Sequence, residues 1–170
     1  MIRLQLVVFL ACSAILGQVL PGQEKKSPEP ETIGVFYYFD LASNSLIPLE
    51  RQTGKAKAGF TSASAEIAGG QSPVQVKSGP RPGFVIRLAS GVDPNKFQLY
   101  RFETKKDKRK VKIAGLSGST GAGKPCDVVS FGQSSYLIKP SKDLEPGEYG
   151  FSATDSDVIF ALDIKDVSKN

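Results

Sequence analysis

Residues 118–124, GSTGAGK, have the glycine and lysine spacing of a phosphate-cradling loop. Such a loop works because successive backbone N–H groups and the lysine surround phosphate oxygens, while a following Ser or Thr holds Mg²⁺. Here Pro125 follows Lys124, bringing neither a hydroxyl nor an N–H. The motif also needs a helix next, and 128–131 reads as strand. The run is therefore read as a glycine loop and not as a nucleotide site.

The strongest chemical signal is electrostatic. Lys105, Lys106, Lys108, Arg109, Lys110 and Lys112 crowd into eight positions that join two expected strands, with Asp107 among them. Between residues 96 and 124 nine basic residues face two acids, a net of +7, whereas residues 23–170 together carry +4. The positive charge is thus local. A local patch attracts anions over about a Debye length, ~8 Å at physiological salt. The competing account is a solvated hairpin tip, because lysines keep a sheet edge soluble and deter strand pairing. Anion binding by these six side chains is the expectation carried forward.

Other catalytic chemistry is thin. The chain has no His, which removes Ser-His-Asp and Cys-His pairs and all His-ligated metals. Its two cysteines, Cys12 and Cys126, are too few for a cysteine zinc site. Cys126 as a nucleophile would have no His base and would depend on Lys124 or the loop backbone for activation. Asp155 and Asp157 share a strand face but supply too few of the 6–8 oxygens that Ca²⁺ takes. Asp93-Pro94-Asn95 reads as a turn. No cofactor or metal is implied. Paired carboxylates for hydrolysis cannot be nominated, because their separation is a property of the fold.

The elements that must carry these residues are short strands. Residues 33–39 (IGVFYYF) are rich in β-branched and aromatic types, which suit a pleated surface. Residues 42–45 form a turn, and 46–49 return, with Pro48 marking an edge. In the aromatic run Phe36 and Tyr38 share one face and Tyr37 and Phe39 the other, with core expected on both. A weak stretch of Ser, Ala and Gly covers 55–71. Strands are expected at 74–77, 84–88, 96–104, 110–114, 128–131, 136–139, 148–153 and 157–164, separated by Gly-Pro and Asp-Pro breakers. The last alternates with Val158, Phe160, Leu162 and Ile164 inward and Asp157 and Asp163 outward. No helical stripe follows the N-terminal region.

The first 22 residues read as a secretory signal peptide. A short positive start precedes an uncharged apolar run over 4–20, with Gly17 and Gly22 as candidate cleavage points. Lipidation at Cys12 is the minor alternative. Removal of this segment leaves Cys126 as the only thiol. Residues 23–32 (QEKKSPEPET) hold no apolar side chain and read as a disordered linker.

Residues 144–149, LEPGEY, place Leu144, Pro146, Gly147 and Tyr149 in a pattern that resembles the tyrosine corner of fibronectin-type and carboxypeptidase-regulatory-like sandwiches. There a Tyr hydroxyl bonds back to the backbone near a strand crossover. Together with 33–52 and 88–100, the chain resembles a group of uncharacterised exported proteins of soil bacteria. That resemblance implies an exported sandwich and assigns no activity.

The resulting expectation is an all-β fold: a two-layer antiparallel, Greek-key or Ig-like sandwich over 33–164 with a tail at 165–170, or alternatively a β-barrel. The expected function is a non-catalytic exported module, in the periplasm, at the cell surface or outside the cell. Its basic hairpin would contact an anionic envelope polymer or a protein partner, with nucleic acid disfavoured. A carboxylate-dependent secreted hydrolase is the alternative.

Overall fold

The computed structural model describes residues 27–58, 62–115, 123–153 and 156–166. The signal segment with Cys12, residues 23–26 of the linker, 118–122 of the glycine loop, Asp155 and residues 167–170 lie outside them. Among the described residues no helix is long and apolar enough to cross a membrane.

Among the described residues, fourteen strands form three sheets that do not close into a barrel. The first sheet holds β1 (Phe36–Asp40), β2 (Ser45–Pro48), β7 (Gly83–Arg87), β11 (Cys126–Ser130) and β12 (Ser135–Pro140), in the order β11-β12-β7-β1-β2. As expected, β1 and β2 make a hairpin, and Pro48 sits on an edge strand where a missing N–H costs no ladder bond. The second sheet orders β3 (Glu50–Thr53), β14 (Val158–Lys165), β13 (Gly147–Ala153) and β8 (Phe97–Arg101). The short β6 (Gln75–Lys77) runs parallel to the end of β14. These two sheets are the expected antiparallel sandwich.

Aromatic side chains fill the space between them. Phe36 stacks on Phe151 with ring centroids 4.3 Å apart, and Phe84 meets Phe151 edge-on at 5.0 Å. Leu99, Ile86, Ile138, Leu162 and Ile164 complete the core. On the far face of the first sheet Phe39 is also buried, against Phe131 at 5.3 Å, while Tyr37 is half-buried.

A third sheet, absent from the sequence reading, covers the other face of the second. It orders β4 (Lys55–Ala58), β5 (Ser62–Ala68), β10 (Lys108–Gly115) and β9 (Glu103–Lys105). Ala65, Ile67 and Val111 from this sheet pack on Tyr100, Phe102, Ile159 and Ala161. Strands bend from one sheet into the next. Residues 45–58 pass through all three as β2, β3 and β4, turning at Gly54. A Cβ at Gly54 would stand 2.8 Å from Ile159 Cδ1 and 3.3 Å from Asp157 O, so a side chain at the bend would require Ile159 to shift. Likewise β8 and β9 are one chain bent at the buried Phe102.

This layer corrects two expectations. The weak stretch 55–71 supplies β4 and β5, because small side chains suffice where the sheet packs closely on β14. Asp163, assigned outward, is only 5% exposed, since the face it occupies is covered rather than wet. Ahead of β1, Glu29 accepts a hydrogen bond from the Ser135 hydroxyl and Pro30 is buried.

Candidate anion-binding face

The basic run does not join two strands as a loop. Lys105 ends β9 and Lys108 begins β10, so only Lys106 and Asp107 form the turn. Lys106 takes φ +54, a left-handed conformation rare for a side-chain-bearing residue and tolerated in tight turns. Strand alternation then sorts the cations. Lys105, Lys106 and Lys108 are exposed and Lys110 is half-buried. Lys112 pairs with Ser64 in the ladder, and its side chain lies outside the described residues.

Arg109 departs from the expectation. It points inward and is 0% exposed, so it cannot meet an external anion. All five of its N–H donors have acceptors. Nη1 and Nη2 form a fork on Glu50 at 2.8 and 3.1 Å. Nη1 also reaches Glu148 Oε2 at 3.3 Å. Nε donates to Gly69 O at 3.0 Å and Nη2 to Ala68 O at 2.9 Å. This arginine therefore ties the third sheet, through β10 and the end of β5, to Glu50 on β3 and Glu148 on β13.

Around it lies a polar cluster that no sequence pattern marked. Glu148 and Asp163 sit directly opposite each other on β13 and β14, both 5% exposed. Glu148 accepts from Ser72 N, and Asp163 accepts from Gln71 Nε2 at 2.7 Å and from Lys165 Nζ at 2.6 Å. Burial pushes the Glu148 carboxyl above its ordinary value, with the nearby Asp163 charge adding to the rise. For Glu50 burial works the same way, but hydrogen bonds from Arg109 and Gln52 outweigh it and hold the carboxyl below its ordinary value.

On the outer side of the third sheet the side chains run in cross-strand rows. One row reads Lys55, Glu66, Lys110, Glu103 across β4, β5, β10 and β9. The next pairs Lys108 with Lys105. Together with Lys106 and Asp107 they line an open cleft of about 470 Å³, from which only Lys55 is missing. Lysines directly opposite each other, as Lys105 and Lys108 are, repel. A bound anion would relieve that repulsion, whereas Lys110 already stands between two glutamates.

The remaining candidates separate from this face. Tyr149 Oη donates to Glu145 O at 3.0 Å, four residues back, a hydroxyl-to-backbone bond within the LEPGEY stretch. Leu144 and Tyr149 are buried there, Gly147 takes φ +146, and Pro146 O accepts from Arg101. Lys124 N donates to Leu99 O at 2.6 Å, and strand β11 starts two residues later. Backbone pairing thus replaces the helix a phosphate loop needs. Cys126 is half-buried, and burial raises its thiol pKa to about 11, so it is almost wholly protonated at neutral pH. Among the described residues no cluster of three or more Cys, Asp or Glu could hold a metal ion. No protein-family model, no curated protein sequence and no solved structure matches the chain.

Proposed function

We propose that the chain is a non-catalytic, exported interaction module whose β9–β10 hairpin binds an anionic partner. One observation carries this reading. A turn of only two residues brings Lys105, Lys106 and Lys108 together at an exposed tip, with Lys105 and Lys108 directly opposed. The tip rests on a rigid base, since Arg109, next in sequence, is locked into the protein interior. A held cluster of point charges binds anions with less ordering cost than the same lysines on a floppy loop. Export is supported by the uncharged apolar run after Arg3.

The hydrolase alternative has less support. Its best carboxylates, Glu148 and Asp163, are buried and already bonded to Ser72, Arg109, Gln71 and Lys165. Neither is open to a substrate.

The test is binding of the purified protein to a panel of anions at low and high salt. Thermal shift reads soluble dextran sulfate, alginate and polyglutamate, and co-sedimentation reads anionic vesicles. Binding that fades with salt, and is lost when Lys105, Lys106 and Lys108 all become Ser, supports the reading. No binding to any anion at low salt refutes it, as does binding that the triple change leaves intact.

A further inference from the structure

The anion-binding reading gains a definite partner when the whole outer side of the third sheet is considered. We infer that this side is a docking surface for the headgroup plane of an anionic lipid bilayer. The inference rests on the proposed function and extends it from the hairpin tip to the sheet.

The geometry favours a plane over a single polymer strand. Lys55 on β4, Lys108 and Lys110 on β10, and Lys105 on β9 all belong to one side of one sheet. Four strands at roughly 4.8 Å spacing put β4 and β9 about 14 Å apart, and Lys108 and Lys110 stand about 7 Å apart along β10. A linear polyanion follows one line and meets only some of these cations at once. A charged plane meets all of them. The two glutamates in the lysine row, Glu66 and Glu103, have shorter side chains than the lysines beside them. An extended lysine can therefore reach past them, and the exposed Lys55, Lys105 and Lys108 present positive charge to an approaching plane.

The surface chemistry also fits a contact without insertion or reading of a sequence. Between the lysines the described positions on this side hold the exposed Ala68 and the buried Ser64, with no aromatic ring and no large apolar side chain. A surface that enters the acyl region carries such anchors. A surface that stacks on sugars or bases carries rings. Lysine, a hydrated point charge without the planar fork of arginine, suits diffuse attraction to a charged layer. The single arginine of the run is the one turned inward.

The experiment is co-sedimentation with phosphatidylcholine vesicles containing graded amounts of phosphatidylglycerol, beside the soluble polyanions. Binding is expected to rise with the phosphatidylglycerol fraction, vanish on pure phosphatidylcholine and vanish at high salt. Each lysine near an anionic surface is worth about five-fold in partitioning. Changing Lys55 and Lys110 to Ser, away from the tip, is therefore expected to weaken vesicle binding by roughly ten- to thirty-fold. Glu66→Gln is expected to strengthen it by a few-fold. Circular dichroism of each variant checks that the sheet is intact.

If the protein binds soluble polyanions but not anionic vesicles, the bilayer inference fails and the proposed function stands. If vesicle binding depends on Lys105, Lys106 and Lys108 yet ignores Lys55, Lys110 and Glu66, the sheet-wide surface is refuted and only the tip remains. Equal binding to neutral vesicles, resistant to salt, assigns the contact to apolar residues elsewhere and overturns the inference. Failure with every anion overturns both.

Discussion

Replacing Arg109 by Met tests whether the buried arginine secures the third sheet. The side chain is 0% exposed and makes five hydrogen bonds, three of them to carboxylates. Methionine fills much of the same path but supplies no donor. It leaves Glu50 and Glu148, with side chains only 14% and 6% exposed, without the guanidinium they share. It also leaves the carbonyls of Ala68 and Gly69 without this partner. Removing one member of a buried ion cluster costs about 3–5 kcal/mol, mostly because the other charges stay buried and uncompensated. A domain of ordinary size holds only about 5–15 kcal/mol in total, so the loss is a large share. The chain has no Trp, so urea unfolding is best followed by circular dichroism or tyrosine fluorescence. The control is Lys108→Ser, the exposed neighbour on the same strand, where a change within about 0.5 kcal/mol is expected. Adding Glu50→Gln and Glu148→Gln to Arg109→Met removes the stranded charges and is expected to recover part of the loss. A loss below about 1 kcal/mol for Arg109→Met would refute the clamp. So would a triple variant less stable than the single one.

The two carboxylates facing Arg109 are expected to respond oppositely to pH. Glu148 has a raised folded-state pKa, so its contribution is fully present below the ordinary value of 4.5 and is lost as pH rises through the folded value. Glu50 has a lowered one, so its contribution is present above 4.5 and is lost as pH falls through the folded value. In stability curves from pH 3 to 8, Glu148→Gln should flatten the region above 4.5 and Glu50→Gln the region below it; the same change in both variants would contradict the assignment. Separately, Tyr149→Phe deletes only the hydroxyl bonded to Glu145 O and should cost about 0.5–1.5 kcal/mol in urea unfolding. An unchanged midpoint would show that Tyr149 contributes packing alone.

The sandwich was legible because its strands announce themselves. Phe36, Phe84, Phe151 and Phe160 lie in β-branched and aromatic runs bounded by turn residues, and all four meet in one core. The LEPGEY stretch was legible too, since Pro146, Gly147 and Tyr149 have local jobs that depend on few distant partners. The third sheet was not. Its strand β5 reads SASAEIA, and among its described side chains only Ala65 and Ile67 contribute to the second core. Small residues with low strand preference give a faint alternation. Asp163 was misjudged for the same reason, because period-two alternation reveals two faces but not whether a further layer covers the polar one.

The basic run shows where sequence reading stops. Six cations in eight positions look alike on paper, yet an ammonium and a guanidinium separate them in space. Strand alternation sends Lys108 and Lys110 outward and Arg109 inward, and only arginine has enough donors in a fixed fork to satisfy Glu50, Glu148 and two carbonyls together. The inward residue then does for the surface what a hinge would undo. It fixes β10 on the sandwich, so the outward lysines keep their register with Lys55 on one side and Lys105 on the other. Interior clamp and exterior charge are thus alternate residues of one strand. A change that loosens the first is expected to blur the second, and for that reason Arg109→Met should weaken anion binding although Arg109 itself touches no anion.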